Sequence, residues 1–137
     1  MIEQSQGDTL VNPVDTTVTV SRSVSQPVKE IWKLLVTREG AEALLGVGGE
    51  LGDKGDSWHA ADGTYGVIRS YHPLEQIRFS WHAAEEAPKT IVEVDLSASE
   101  GGTTVEIRHE HIPTYFDANA LTRKWETALE KLALAAG

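Results

Sequence analysis

Apolar positions along the chain recur first at every second residue, then at helical spacing, then at every second residue again, and finally along one long helical stripe. In "VDTTVTVSRSV", Val14, Thr16, Val18 and Val20 fall on one face, which predicts a strand. Ser25 is placed to cap the helix that follows, and Pro27 sits in its first turn, where a missing N–H costs little. Val28, Ile31, Trp32 and Leu35 then form a single stripe at i, i+3, i+4 and i+7. A second, shorter helix is expected from near Thr37 to a stop at Gly46.

From "GVGGELGDKGDSWHA" onward the period is two. Asp62-Gly63 between alternating runs is a strong hairpin signal. With a two-residue loop, Ala60 faces Tyr65, Trp58 faces Val67, and Asp56 faces Arg69 on one side of the sheet, while His59 faces Gly66 on the other. In "QIRFSWH", Ile77, Phe79 and Trp81 point inward and Arg78, Ser80 and His82 outward. "TIVEVDLSAS" turns Val92, Val94 and Leu96 inward, and "GTTVEIRHEH" does the same for Val105, Ile107, His109 and His111. A last helix from about Phe116 carries Leu121, Trp125, Leu129, Leu132 and Ala136 on one stripe, with Arg123, Lys124, Glu126 and Glu130 on other faces. The concave side of the sheet is the surface large enough to receive it. The expectation is an α+β fold: a flexible tail over residues 1–12, then one domain over 13–137, with an antiparallel sheet of six or seven strands wet on one side.

Composition narrows the chemistry. A chain of 137 residues supports one core and not two. The absence of cysteine excludes disulfides, thiolate catalysis and sulfur-bound zinc. A net charge of -9 with scattered Lys and Arg opposes nucleic acid and anionic membranes. No apolar run is long enough to span a bilayer, and "MIEQSQGDTL" lacks a secretory pattern, so the expected location is the cytoplasm.

The pair His109/His111 has three readings. A metal needs a third ligand, yet His59, His72, His82 and Glu110 count to the outer face, which leaves only Asp56 inside; no metal and no cofactor are expected. Acid/base catalysis by His109 or His111 is the second reading, with no catalytic residue assigned. The third is a hydrogen-bonded wall of a core or pocket, and it is preferred. Arg69, on the inward side by the same count, pairs with Asp56 or meets an acidic ligand group; a bulge after Gly66 would turn it outward. The glycines of "GVGGELGDKG" are not followed by a helix pattern and are read as a loop, not a phosphate cradle. The outer stripe of Arg78, Glu93, Asp95, Glu106, Arg108 and Glu110 is read as a solvated charged face.

Three stretches carry a resemblance: "VSRSVSQPVKEIWKLLVTREG" (20–40), "DGTYGVIRSYHPLEQIRFSW" (62–81) and "GTTVEIRHEHIP" (102–113), followed by the helix centred on Trp125. In order and spacing they resemble the SRPBCC (START-related, helix-grip) superfamily, and within it the group named after the C-terminal domain of heat-shock-protein-90 ATPase activators. The resemblance spans roughly residues 14–135. It implies a curved sheet gripping the last helix around a cavity, in which relatives bind lipids, hormones or polyketides and a minority carry out cyclisation or dehydration. Many relatives carry a tryptophan at the end of the second helix; this chain has "ALLG", so a differently shaped mouth is expected around Leu44 and Leu45. The expected function is binding of a small apolar or aromatic molecule by Trp58, Tyr65, Arg69, Phe79, Trp81, Val94, His109, His111, Leu121 and Trp125. A cyclase or dehydratase with a histidine acid/base, and a chaperone-regulating interaction module, are the alternatives; a homodimer is compatible with each.

Overall fold

A computed structural model describes residues 15–137. The expected tail over 1–12, and Val14, lie outside the described residues. Strand β1 (Asp15–Val24) leads into helices α1 (Val28–Leu35) and α2 (Arg38–Leu45). Strands β2 (Ser57–His59), β3 (Tyr65–His72), β4 (Gln76–Trp81), β5 (Thr90–Ser99) and β6 (Gly102–Pro113) follow, and helix α3 (Ala118–Ala136) ends the chain. All neighbours are antiparallel in the order β1-β6-β5-β4-β3-β2, so the meander closes when β6 pairs with the first strand.

The α1 stripe buries Ile31, Trp32 and Leu35, as the helical period requires. Its cap differs from expectation. Pro27, still extended at φ -71° and ψ 160°, takes the N-cap position, and Ser25 lies outside the helix. The preceding turn is fastened elsewhere: the Thr103 hydroxyl donates to the Gln26 carbonyl at 2.7 Å, and the Gln26 amide donates to Ala136 O at 3.0 Å. Thr37 caps α2 by accepting from the Gly40 N–H, and Gly46 ends that helix. Asp117 caps α3 through the Ala120 N–H. Leu121, Trp125, Ala128, Leu129 and Leu132 of α3 are buried in one core with Ile77, Phe79, Val92, Val94, Val105 and Ile107 of the sheet.

The β2–β3 hairpin departs from the two-residue count. Ser57 pairs with Val67, Trp58 with Gly66 and His59 with Tyr65. The Ala60 N–H donates to Thr64 O, which leaves Ala61, Asp62 and Gly63 as a three-residue loop, with Gly63 at φ 96°. One extra loop residue shifts the register by one and moves side chains to the opposite face. Trp58 therefore stays inside, opposite Gly66, while Tyr65, Val67 and Arg69 turn outward. Asp56 pairs with Ile68 and closes a turn by accepting from the Asp53 N–H at 2.8 Å; it does not face Arg69. A bulge at Arg69, between the pairs Ile68–Phe79 and Ser70–Arg78, then brings Tyr71 in against Trp32.

The second departure is at the end of β6. Thr16 pairs with Ile112 but Val18 with His109, so Glu110 and His111 together oppose one residue of β1. His111 adopts φ 64° at this bulge. Both Glu110 and His111 face away from the core, and Ile112 takes the inward place, fully buried.

Trp58 crosses over β3, and its indole N–H donates to Ser80 O at 3.2 Å. That path exists because residue 66 has no side chain: a Cβ there would lie 1.8 Å from Ser80 O and 2.8 Å from the Trp58 indole nitrogen. Gly66→Ala is accordingly expected to cost about 3 kcal/mol in urea unfolding. Gly63→Ala, which strains only φ in open space, is expected to cost about 1 kcal/mol. Equal losses for the two variants would contradict this packing.

Candidate functional site

Alternation places Trp81, Thr90 and His109 on the inner face of β4, β5 and β6, and the α3 stripe brings Trp125 down onto them. Trp81 and Thr90 are cross-strand partners, and His109 opposes Val92, two residues further along β5. His109, Thr90 and Trp125 are completely buried, and Trp81 is nearly so. The three rings meet edge to face: Trp81–His109 centroids are 4.9 Å apart, His109–Trp125 5.7 Å and Trp81–Trp125 6.1 Å.

Their hydrogen bonds have a direction. The Trp125 indole N–H donates to His109 Nδ1 at 3.0 Å, so that nitrogen carries no proton. The Thr90 hydroxyl spends its one hydrogen on Trp81 O at 2.6 Å. The 2.7 Å contact between His109 Nε2 and Thr90 Oγ1 must then be an Nε2–H donation. Burial, helped by the Lys124 cation, pushes the His109 imidazole down to a pKa of about 3. The ring is a neutral, singly tautomeric link with both nitrogens engaged. That geometry fits the reading of a hydrogen-bonded wall and offers no free nitrogen for proton transfer.

Lys124 rims this group. Its ammonium stands 5.4 Å from the Trp125 ring centroid and 5.8 Å from that of Trp81, and 3.8 Å from Asp62 Oδ2 on the hairpin loop. Burial alone would raise the Asp62 carboxyl. Hydrogen bonds from the Thr64 hydroxyl and N–H, with the Lys124 charge, outweigh it and hold the pKa below the ordinary value. Among the described residues, one polar atom of this group is unsatisfied: the buried Trp81 indole N–H meets no acceptor.

Of the residues expected to form a site, Phe79, Trp81, Val94, His109, Leu121 and Trp125 are together between sheet and helix, and Trp58 joins them through an edge-to-face contact with Phe79. Tyr65, Arg69 and His111 are not; the three-residue loop and the β6 bulge carry them to the other side or into solvent. Leu44 and Leu45 are buried core residues. Thr90, Asp62 and Lys124 belong to the cluster and were missed. Thr90 is legible two positions before Val92, whereas Lys124 is a flexible chain beside Trp125 whose reach no periodicity encodes. Among the described residues, no group of three or more His, Asp or Glu is placed to hold a metal ion.

The outer face is less solvated than its charges suggest. Glu93 has only 13% of its side chain exposed and pairs with Arg108 and, at 3.6 Å, with Arg78. Arg108 also reaches Glu110 at 3.4 Å, Glu106 at 3.8 Å and Asp95 at 3.9 Å. Burial, together with Asp95, raises the Glu93 carboxyl above its ordinary value despite Arg108.

Comparison with known proteins bears on this fold. The family model described as activator of Hsp90 ATPase homolog 1-like protein matches residues 23–137. The chain belongs to that family. Solved structures of the same fold include protein MLL2253 from Mesorhizobium loti, 19% identical over 87% of this chain and 95% of that one, with a TM-score of 0.75. CalU16 from Micromonospora echinospora is 21% identical over 88% and 76% of the two chains, with a TM-score of 0.74. The Aha1 dimer from Colwellia psychrerythraea is 18% identical over 88% and 96%, with a TM-score of 0.73. No curated protein matches the chain. The family fold agrees with the observed sheet and terminal helix, and no helix among the described residues is long and apolar enough to cross a membrane.

The neutral His109 has a pH signature. The unfolded chain takes up the imidazole proton near pH 6.5 and the folded chain only near 3, so this group's contribution is complete above about 6.5 and is lost as pH falls toward 3. Chemical unfolding of the wild type and of His109→Gln between pH 7 and 4 should show a steeper acid loss for the wild type, approaching one proton per molecule. Parallel curves would contradict it.

Proposed function

We propose that this protein binds a small, mainly apolar molecule between the inner face of the sheet and α3, at the end where Trp81, His109 and Trp125 meet beneath Lys124. The observation that carries the reading is the unsatisfied Trp81 indole N–H, buried beside a hydrogen-bonded chain in which every other donor has a partner. A buried donor left unpaired costs roughly 1–3 kcal/mol, and a ligand oxygen would recover it. Lys124 supplies the adjacent positive charge, so the ligand is amphipathic: an apolar body against the indoles and a carbonyl, phenolate or carboxylate oxygen at the rim. Lys124 replaces Arg69 as the cation of the site.

The ion pair between Lys124 and Asp62 joins α3 to the tip of the β2–β3 hairpin at the rim of this group. Its partners are 30% and 51% exposed, so solvent screens it and parting it costs little. Membership of the family supports a ligand-binding role without fixing the ligand. Cyclisation or dehydration through His109 is disfavoured by the engagement of both its nitrogens. A chaperone partner and a homodimer rest on the family resemblance alone.

Titration with fatty acids, flavonoids and polyketide-like phenols, followed by tryptophan fluorescence, is expected to give saturable binding to at least one class. Trp81→Phe removes the indole donor while keeping the aromatic bulk and should weaken that binding about tenfold. Absence of any response, or equal affinity in Trp81→Phe, would overturn the assignment.

A further inference from the structure

The shift of register that removes Tyr65 from the inner face builds something on the outer one. His59 pairs with Tyr65 across β2 and β3, and Tyr65 pairs with His82 through an isolated bridge to the end of β4. A histidine, a tyrosine and a histidine thus stand in a row across three strands. The Tyr65 and His82 rings are stacked, with centroids 4.4 Å apart and planes inclined by 1°. Beside them opens a cleft of about 650 Å³ over the hairpin, lined among others by Val67, His82 and Glu85. That volume lies within the range of small-molecule sites.

The wall is a formed structure. His82 Nδ1 donates to Ala87 O at 2.9 Å, and the Ala87 N–H returns to Ala84 O at 3.0 Å, closing a turn over Glu85 and Glu86. Glu86 adopts φ 69°, a conformation that disfavours a side chain and that the turn nevertheless holds. Among the described residues, the carboxylate lining the cleft is that of Glu85, and no Lys or Arg lines it. The chain as a whole carries -9, so the field at this surface favours cations.

We propose that this outer cleft is a second binding site, separate from the one between sheet and helix, and that it takes a planar aromatic cation: a flat ring that extends the Tyr65–His82 stack and carries a protonated amine toward Glu85. Stacked rings supply the apolar face, Val67 adds apolar contact, and the Glu85 carboxylate selects a donor over an acceptor. The rings and the carboxylate it uses, Tyr65, His82 and Glu85, are distinct from Trp81, His109, Trp125 and Lys124 of the inner site, although Trp58, Ala60, Thr64 and Gly66 also line the cleft.

Two-dimensional NMR titration with tryptamine, indole and indole-3-acetate tests it, the three sharing a ring and differing in charge. Tryptamine should shift the ring signals of Tyr65 and His82, bind more tightly than indole, and leave the Trp81 and Trp125 indole N–H signals unmoved; indole-3-acetate should bind most weakly. Glu85→Gln should reduce the tryptamine preference over indole roughly fivefold. Tyr65→Ala should weaken both by up to about tenfold with the rest of the spectrum preserved. The proposal is overturned if tryptamine leaves Tyr65 and His82 unshifted at millimolar concentration, if it perturbs the inner indoles instead, or if indole-3-acetate binds as well as tryptamine.

Discussion

A directed run of hydrogen bonds, from the Trp125 indole through the His109 imidazole and the Thr90 hydroxyl to the Trp81 carbonyl, ties α3 to three successive strands. Hydrophobic burial alone would let the helix slide or rotate on a sheet lined by Ile, Val and Leu, since apolar contact is non-directional. The polar run removes that freedom, because each displaced member would leave a buried donor or acceptor without a partner. It is also intolerant of charge. A protonated imidazole would present a hydrogen to the Trp125 N–H, two donors facing each other in a dry core. The depressed His109 pKa and the fixed helix position are two expressions of the same constraint.

That constraint also leaves one donor of the group over. With His109, Thr90 and Trp125 mutually satisfied, the Trp81 N–H is the unsatisfied donor of the group, and the Lys124–Asp62 pair is its rim. The cluster is assembled from three strands, one helix and one hairpin loop. The hairpin contributes to both sides of the sheet: Trp58 packs inward through the gap left by Gly66, and Tyr65 and His59 stand outward over the cleft.

Much of the architecture was legible in the sequence because it rests on periodicity. The stripes of α1 and α3, and the inward faces of β4, β5 and β6 as far as His109, follow from spacings of 3.6 and 2. The site was legible to the same extent, and no further. Tyr65 and Arg69 were misplaced because "ADGT" contains the Asp-Gly pair of a two-residue turn, while Thr64 also joins the loop hydrogen bonding and makes it three residues long. Counting cannot see that choice, and the alternation amplifies it into a change of face. His111 was misplaced by a bulge at a residue that is not glycine, the usual signal for one. Lys124 escaped notice because its function depends on where a four-carbon stem can swing, not on which face its Cα occupies.

His109 is a neutral, Nε2-protonated link whose ring does not titrate near neutral pH. Nitrogen-15 NMR of the histidine side chains addresses it most directly. One imidazole should show an unprotonated, hydrogen-bond-accepting Nδ1 and a slowly exchanging Nε2–H, correlated with the Trp125 indole proton and unchanged between pH 7 and 5. A His109 ring that is protonated at Nδ1, or that titrates with a midpoint near 6.5, would contradict it.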